Sequence, residues 1–193
     1  MIIKKKNNRQ GHRYLGIDDA PFKNRRGSRV LLIGAVCRGT ELDGVISTHV
    51  TKDGWNASAK IAEMITRSKF HRQIRAVLLD GIAVGGLNVV DLPFLHEQTG
   101  LPVITVMRKE PDPAGMERAC RKLPRSAKRI ALIKRGGGIS RSGSIFFQGF
   151  GLPYEEIRAI LKELSVCGHI PEPVRLAHLI AGGVISGESG KRA

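Results

Sequence analysis

Apolar residues follow two rhythms along this chain, and the rhythms predict its elements. Short Val/Ile/Leu-rich runs predict strands at Arg13–Asp18, Arg29–Arg38 and Gly44–Thr51, with a turn over Gly39–Asp43. Further strands are expected at Arg75–Asp80, Leu101–Met107, Lys128–Lys134 and Ser144–Phe150. Helical spacing begins at Asn56 or Ser58 and runs to about Phe70, with Ile61, Met64, Ile65 and Ser68 on one stripe. A second helix is expected from Asn88 to Gln98, stopped by Gly100, and a third over Pro113–Lys122. Pro153 opens a helix with Ile157, Ile160, Leu161 and Leu164 on one face, and Pro171 opens a last helix through Ala181. Three consecutive strands imply an antiparallel meander, and the strand–helix–strand units that follow imply parallel pairing. The predicted class is α/β, a mixed sheet flanked by helices. One domain over 1–193 is expected, with mobile ends at 1–12 and 183–193.

Composition excludes several classes. The 193 residues are 41% apolar and 25% charged, as in an ordinary globular protein. The longest apolar stretch, Val30–Cys37, is far short of the ~20 residues that span a bilayer, so no membrane partner is expected. The N-terminus has no apolar signal region, and a cytoplasmic location is expected. Cys37, Cys120 and Cys167 are widely spaced with no Cys-x-x-Cys, which argues against a disulfide framework or a zinc site.

Charge changes the picture more. The formal charge is +15. Residues 1–29 carry nine Lys or Arg against Asp18 and Asp19, a net of +7. Residues 118–143 carry nine more and no acid, a net of +9, so the rest of the chain is close to neutral at −1. Two such clusters attract a polyanion, and nucleic acid is the expected partner. Arg25, Arg26, Lys128, Arg129, Lys134 and Arg135 are the candidate contacts within them. The alternative is a solvated, solubilising surface.

Candidate chemistry lies in the carboxylates. Of seven Asp, Asp18 and Asp19 end the first strand, Asp53 follows the third and Asp80 ends the fourth. If the fourth strand pairs parallel to the first, Asp18, Asp53 and Asp80 gather at one sheet end, where α/β sheets bind ligands. Grouped carboxylates repel and call for cations; Mg²⁺ or Mn²⁺ suits oxygen donors and phosphate chemistry. The alternative is that these acids cap turns, since Asp53-Gly54 and Asp80-Gly81 are turn dipeptides. Near the C-terminus, Pro171-Glu172-Pro173-Val174-Arg175-Leu176-Ala177-His178 sets Arg175 and His178 on one helical face. That pairing suits a phosphate grip beside a proton-transfer group, or His178 simply packs.

These residues resemble a known family. Gly16-Ile17-Asp18, Leu79-Asp80-Gly81, Pro102-Val103-Ile104-Thr105-Val106 and the Pro171–His178 stretch occur in the order and spacing of endonuclease V. Asp53-Gly54-Trp55-Asn56-Ala57-Ser58, Gly86-Leu87-Asn88-Val89-Val90-Asp91 and Ala177-His178-Leu179-Ile180-Ala181 are more closely similar to an archaeal family, endonuclease dU. The resemblance covers about residues 13 to 181. It implies a ribonuclease-H-like fold, two divalent metals, and cleavage of a phosphodiester near a deaminated base, such as deoxyuridine, in DNA. A DNA-repair role follows; the alternatives are a catalytically inactive nucleic-acid-binding protein of the same fold and an RNA-directed nuclease. By position, Asp18 and Asp80 would be metal ligands and catalytic groups, and Asp53 would stand where endonuclease V has a Glu. His178 would be the catalytic histidine, and Arg108 or Lys109 would match a lysine after the fifth strand. Asp19 faces away from Asp18 and would have a minor share. Two family features are missing. Val45–Val50 stands in place of a Pro-Tyr-Ile-Pro wedge, and Ala83–Gly86 in place of a His-Pro pair. Trp55, Gly85, Gly86 and Asn88 are the candidate base pocket here, with a packed Trp and a plain turn as the alternatives.

Overall fold

The computed structural model describes residues 12–166 and 170–190. The first basic run, Lys4, Lys5, Lys6 and Arg9, therefore lies outside the described residues, as does Cys167. The main strands are β1 (Arg13–Asp19), β2 (Arg29–Arg38), β3 (Glu41–Thr51), β4 (Ile74–Asp80), β7 (Val103–Met107), β8 (Ser140–Ser142) and β9 (Ile145–Phe150). They form one sheet in the order β3-β2-β1-β4-β7-β9-β8. β3, β2 and β1 are antiparallel neighbours, β1, β4 and β7 run parallel, and β9 and β8 return antiparallel. This is the mixed ribonuclease-H-like sheet that the apolar pattern and the motifs predict. A separate two-stranded hairpin joins β5 (Ala83–Val84) to β6 (Asn88–Val89).

Alternation along the central strands sends side chains to two cores. Leu15, Ile17, Val77 and Leu79 pack on one face with α1 (Ala57–Thr66) and α2 (Leu92–Thr99), through Ile61, Ile65, Leu92 and Leu95. Tyr14, Ala76 and Leu78 face the other way, against α5 (Tyr154–Leu164) and the start of α6 (Glu172–Ser186). Covering both faces explains why β1 and β4 read as continuous apolar runs.

One glycine sets the position of α6. A Cβ on Gly16 would lie 2.0 Å from the carbonyl carbon of Pro173 and 2.3 Å from the amide of Val174. Only a residue without a side chain lets the first turn of α6 rest directly on β1.

Four expectations are corrected. Lys128–Lys134 is not a strand; it lies in helix α4 (Ser126–Arg135), which pairs with α3 (Pro113–Arg121) in a cationic hairpin. Ile130 and Ile133 are one helical turn apart, and the run of Lys, Arg, Ala and Leu around them favours a helix. Asn88 does not open a helix but pairs in β6; Asp91 caps α2 by accepting from the Phe94 amide at 3.4 Å. α6 runs past Ala181 to Ser186, where left-handed Gly187 ends it, so 183–186 is helix rather than tail. β8 is new; its Ser-Arg-Ser sequence carries no apolar signal.

Candidate metal centre

β1 and β4 are parallel neighbours in register, with Ile17 opposite Leu79. The next residue on β1 is Asp18, and the next on β4 is Asp80. Each sits two residues beyond a position that faces α5 and α6, so both carboxylates emerge on that face at the carboxyl end of the sheet. α6, seated on Gly16, brings His178 over them. Its Nδ1 is 2.7 Å from Asp18 Oδ2. One donor atom from each of Asp18, Asp80 and His178 lies within 4.8 Å of the others.

Asp18 is only 7% exposed. Burial, then the charges of Asp80 and Asp19, push its carboxyl up to about 7, against the hydrogen bonds from His178 and the Asp19 amide. Asp19 is pushed up as well, by burial first, while the Gly85 amide donating to its Oδ2 at 2.5 Å opposes the shift. The centre thus holds more negative charge than its surroundings compensate. Two hard carboxylate oxygens and one imidazole fit Mg²⁺ or Mn²⁺, with coordination positions left for water and phosphate.

Asp53 does not join this group, which corrects the expected gathering of three aspartates. β3 is two strand spacings from β1, roughly 10 Å. The carboxylate of Asp53 is also engaged locally. Its Oδ2 is 2.5 Å from the Lys52 ammonium and its Oδ1 accepts from the Leu87 amide at 2.9 Å. Burial pushes it upward, but the Lys52 and Leu87 hydrogen bonds and the charges of Lys52 and Arg129 hold it below the ordinary carboxylate value.

Among the expected phosphate cations, Arg108 reaches the centre, donating to Asp80 Oδ2 at 3.2 Å from the end of β7. Lys109 beside it is exposed. Arg175 instead makes a two-pronged bond to Glu172, at 2.8 and 2.6 Å, one turn earlier on α6. Its guanidinium thus pairs with a carboxylate of its own helix.

Arg25, Arg26, Lys128, Lys134 and Arg135 are exposed, the last two near Glu117 and Asp91. Arg129 is not a surface cation; it is 1% exposed. It donates to the carbonyls of Leu87 and Asp53, and its guanidinium sits 4.4 Å from the Trp55 ring centre.

The expected base pocket is also revised. Asn88 is fully buried; it accepts from the Ala57 amide and donates to Thr51 O and Asn56 Oδ1, so it has no free polar edge for a base. Gly85 and Gly86 have φ of +56° and +82° and form the tight turn between Asp19 and Asp53. Trp55 is 38% exposed, with Arg125 also 5.7 Å from its ring. Lys52, 9% exposed, had no signal in the apolar pattern, nor did the Gly85–Asp19 bond.

The sheet order is that of the ribonuclease-H-like fold, and the carboxylates and the helix-borne histidine stand at its carboxyl end. Residues 10–185 match the family described as Endonuclease dU. The chain belongs to the endonuclease dU family. The UPF0215 protein of Methanosarcina barkeri is 44% identical over 186 residues, 94% of each chain. A protein of unknown function from Archaeoglobus fulgidus, solved by crystallography, is 37% identical with a TM-score of 0.85, covering 90% of this chain and 98% of that one. Endonuclease V from Bacillus subtilis shares the fold at 14% identity and a TM-score of 0.61, over 91% and 81% of the two chains. Ciona intestinalis endonuclease V, solved with a 24mer DNA containing an inosine followed by a ribo-adenosine, has a TM-score of 0.54 at 17% identity over 87% and 83%. Family and fold together support a nuclease. No helix among the described residues is long and apolar enough to cross a membrane.

Proposed function

We propose that this chain is a divalent-metal-dependent endonuclease that hydrolyses a phosphodiester near a deaminated base in DNA, deoxyuridine first, in a cytoplasmic repair role. The observation that carries this reading is the Asp18–Asp80–His178 group at the carboxyl end of β1 and β4. Asp18 and Asp80 would hold the ion. A bound Mg²⁺ or Mn²⁺ supplies Lewis acidity toward water and toward phosphate oxygens. Asp18 accepts from Nδ1 of His178 and so fixes the ring, leaving Nε2 to exchange a proton at the reacting oxygens. Arg108, already beside Asp80, steadies the phosphate. The exposed cations of the 23–29 loop and of α4 bind flanking phosphates without reading sequence.

The family's name supports deoxyuridine, and the inosine-containing complex of the Ciona enzyme supports a deaminated base. That same substrate carries a ribonucleotide, which favours an RNA or mixed substrate as the second reading. The exposed edge of Trp55 is the aromatic available to a displaced base.

The test is cleavage of labelled DNA and RNA, each holding one uracil or one hypoxanthine, in Mg²⁺ or Mn²⁺, with Asp80→Asn alongside. Metal-dependent cleavage of a deaminated substrate, abolished in Asp80→Asn, is expected. No cleavage of any substrate, or equal cleavage by the variant, overturns the proposal. Trp55→Ala is expected to lose discrimination between deaminated and normal bases more than metal binding.

A further inference from the structure

The fold family's two-ion expectation meets a centre whose donors are few. A two-ion phosphodiesterase sets its metals about 3.5–4 Å apart, held by bridging and flanking carboxylates. Asp18, Asp80 and His178 are the one such group among the described residues. The carboxylates on either side of it have other partners, Asp19 through its Oδ2 and Asp53 through both oxygens. Asp19 accepts from the Gly85 amide, and Asp53 is closed off by the Lys52 ammonium and the Leu87 amide.

Asp53 further belongs to a different structure. Its own amide donates to the Gly85 carbonyl at 2.9 Å, and its carbonyl accepts from Arg129 at 2.6 Å. Its φ is +53°, and a Cβ on Gly86 would come within 2.4 Å of its Oδ1. Side chain and backbone together fasten the Gly85–Leu87 turn. That turn in turn presents the Gly85 amide to Asp19. The two cations that a metal's charge would replace, Lys52 and Arg129, are themselves buried beside it.

We infer that the substrate-free protein binds a single divalent ion, on Asp18 and Asp80 beside His178, and that Asp53 is a positioning residue for the Gly85–Leu87 turn and not a metal ligand. The inference rests on the proposed metal centre and sets its stoichiometry. It also separates this chain from the arrangement in which a carboxylate after the third strand completes the site.

The probe is Mn²⁺ alone, titrated into the full chain and followed by loss of the free-ion paramagnetic resonance signal. Asp53→Asn suits the purpose, because Asn tolerates positive φ and keeps the Oδ1 that accepts from Leu87. One Mn²⁺ per chain is expected, with Kd unchanged within about twofold in Asp53→Asn and weakened at least about tenfold in Asp80→Asn, a tenfold change being about 1.4 kcal/mol. Two Mn²⁺ per chain, one of them lost in Asp53→Asn, overturns the inference and leaves the metal centre standing. No Mn²⁺ bound overturns both. Normal stoichiometry with Asp53→Asn weakened as much as Asp80→Asn makes Asp53 a ligand and overturns the inference alone.

Discussion

Asp18→Asn should make the metal-free protein more stable at neutral pH while removing its metal affinity. The wild-type carboxyl is pushed from 3.8 to about 7 in the folded state, by burial first and then by Asp80 and Asp19. The folded chain therefore holds this proton more tightly than the unfolded chain does. The contribution of Asp18 is fully favourable below about pH 4 and is lost as pH rises to about 7, beyond which it stays constant. At about 1.36 kcal/mol per pH unit, that interval amounts to about 4 kcal/mol. Asn has no proton to lose, so the variant lacks this slope. Asp19 titrates in both proteins and largely cancels in the difference. Urea unfolding in EDTA, at steps from about pH 4.5 to 8, measures it. The stability of the variant relative to wild type should climb across this range by about 3 kcal/mol and then level off. Saturating Mn²⁺ should narrow that difference at pH 8, since an ion at 100 times its Kd stabilises wild type alone by about 2.7 kcal/mol. Parallel profiles for the two proteins from pH 4.5 to 8 would refute the account of Asp18.

Three more substitutions address the frame around the centre. Arg129→Met removes the donor to the Leu87 and Asp53 carbonyls and uncovers Trp55, so urea unfolding should show a loss of about 3 kcal/mol, and the emission of the single Trp should shift. Gly16→Ala drives a methyl into the Pro173 backbone and should cost about 2–3 kcal/mol or more, together with Mn²⁺ affinity as His178 is carried away. Unchanged Mn²⁺ binding in that variant would contradict the placement of α6. Arg108→Ala should lower kcat/KM about tenfold, about 1.4 kcal/mol, with Mn²⁺ binding retained, as steady-state cleavage and direct titration can separate.

The parts of the centre that could be read from the sequence are those fixed by strand geometry. Asp18 and Asp80 follow apolar runs that end abruptly, and parallel strands of that kind deliver their last residues to one edge. His178 is reached through the helix that Pro171 opens and through Gly16, whose missing side chain sets the approach. Asp53 also follows a strand, and the same rule misplaces it, because the rule takes no account of a neighbouring Lys52 that folds back to neutralise the carboxylate. Arg129 was hidden for a related reason. Two of its three acceptors lie 42 and 76 residues away, and no local pattern announces that an arginine in a cationic stretch will be the one turned inward. The α4 segment reads as a strand because Ile130, Leu132 and Ile133 stand close together, and the helix preference of the Lys, Arg, Ala and Leu around them prevails over that spacing.

Turning Arg129 inward has a mechanical consequence for the proposed activity. α4 displays Lys128, Lys134 and Arg135 to solvent, where they would meet phosphates. From the same helix Arg129 grips Leu87 and Asp53, Asp53 holds Gly85, and Gly85 donates to Asp19 beside Asp18. Each link is a hydrogen bond between groups that are largely buried, where loosening one leaves its partner unsatisfied. A helix free to swing on its loops could hold a polyanion anywhere within reach. One bolted through Arg129 holds it in a fixed relation to the carboxylates, as hydrolysis at a defined distance from a base requires. Arg129→Met should therefore broaden the spread of cleavage positions on a uniquely labelled substrate while leaving salt-dependent binding close to wild type. An undisturbed cleavage pattern in a folded variant would show that α4 does not set the register.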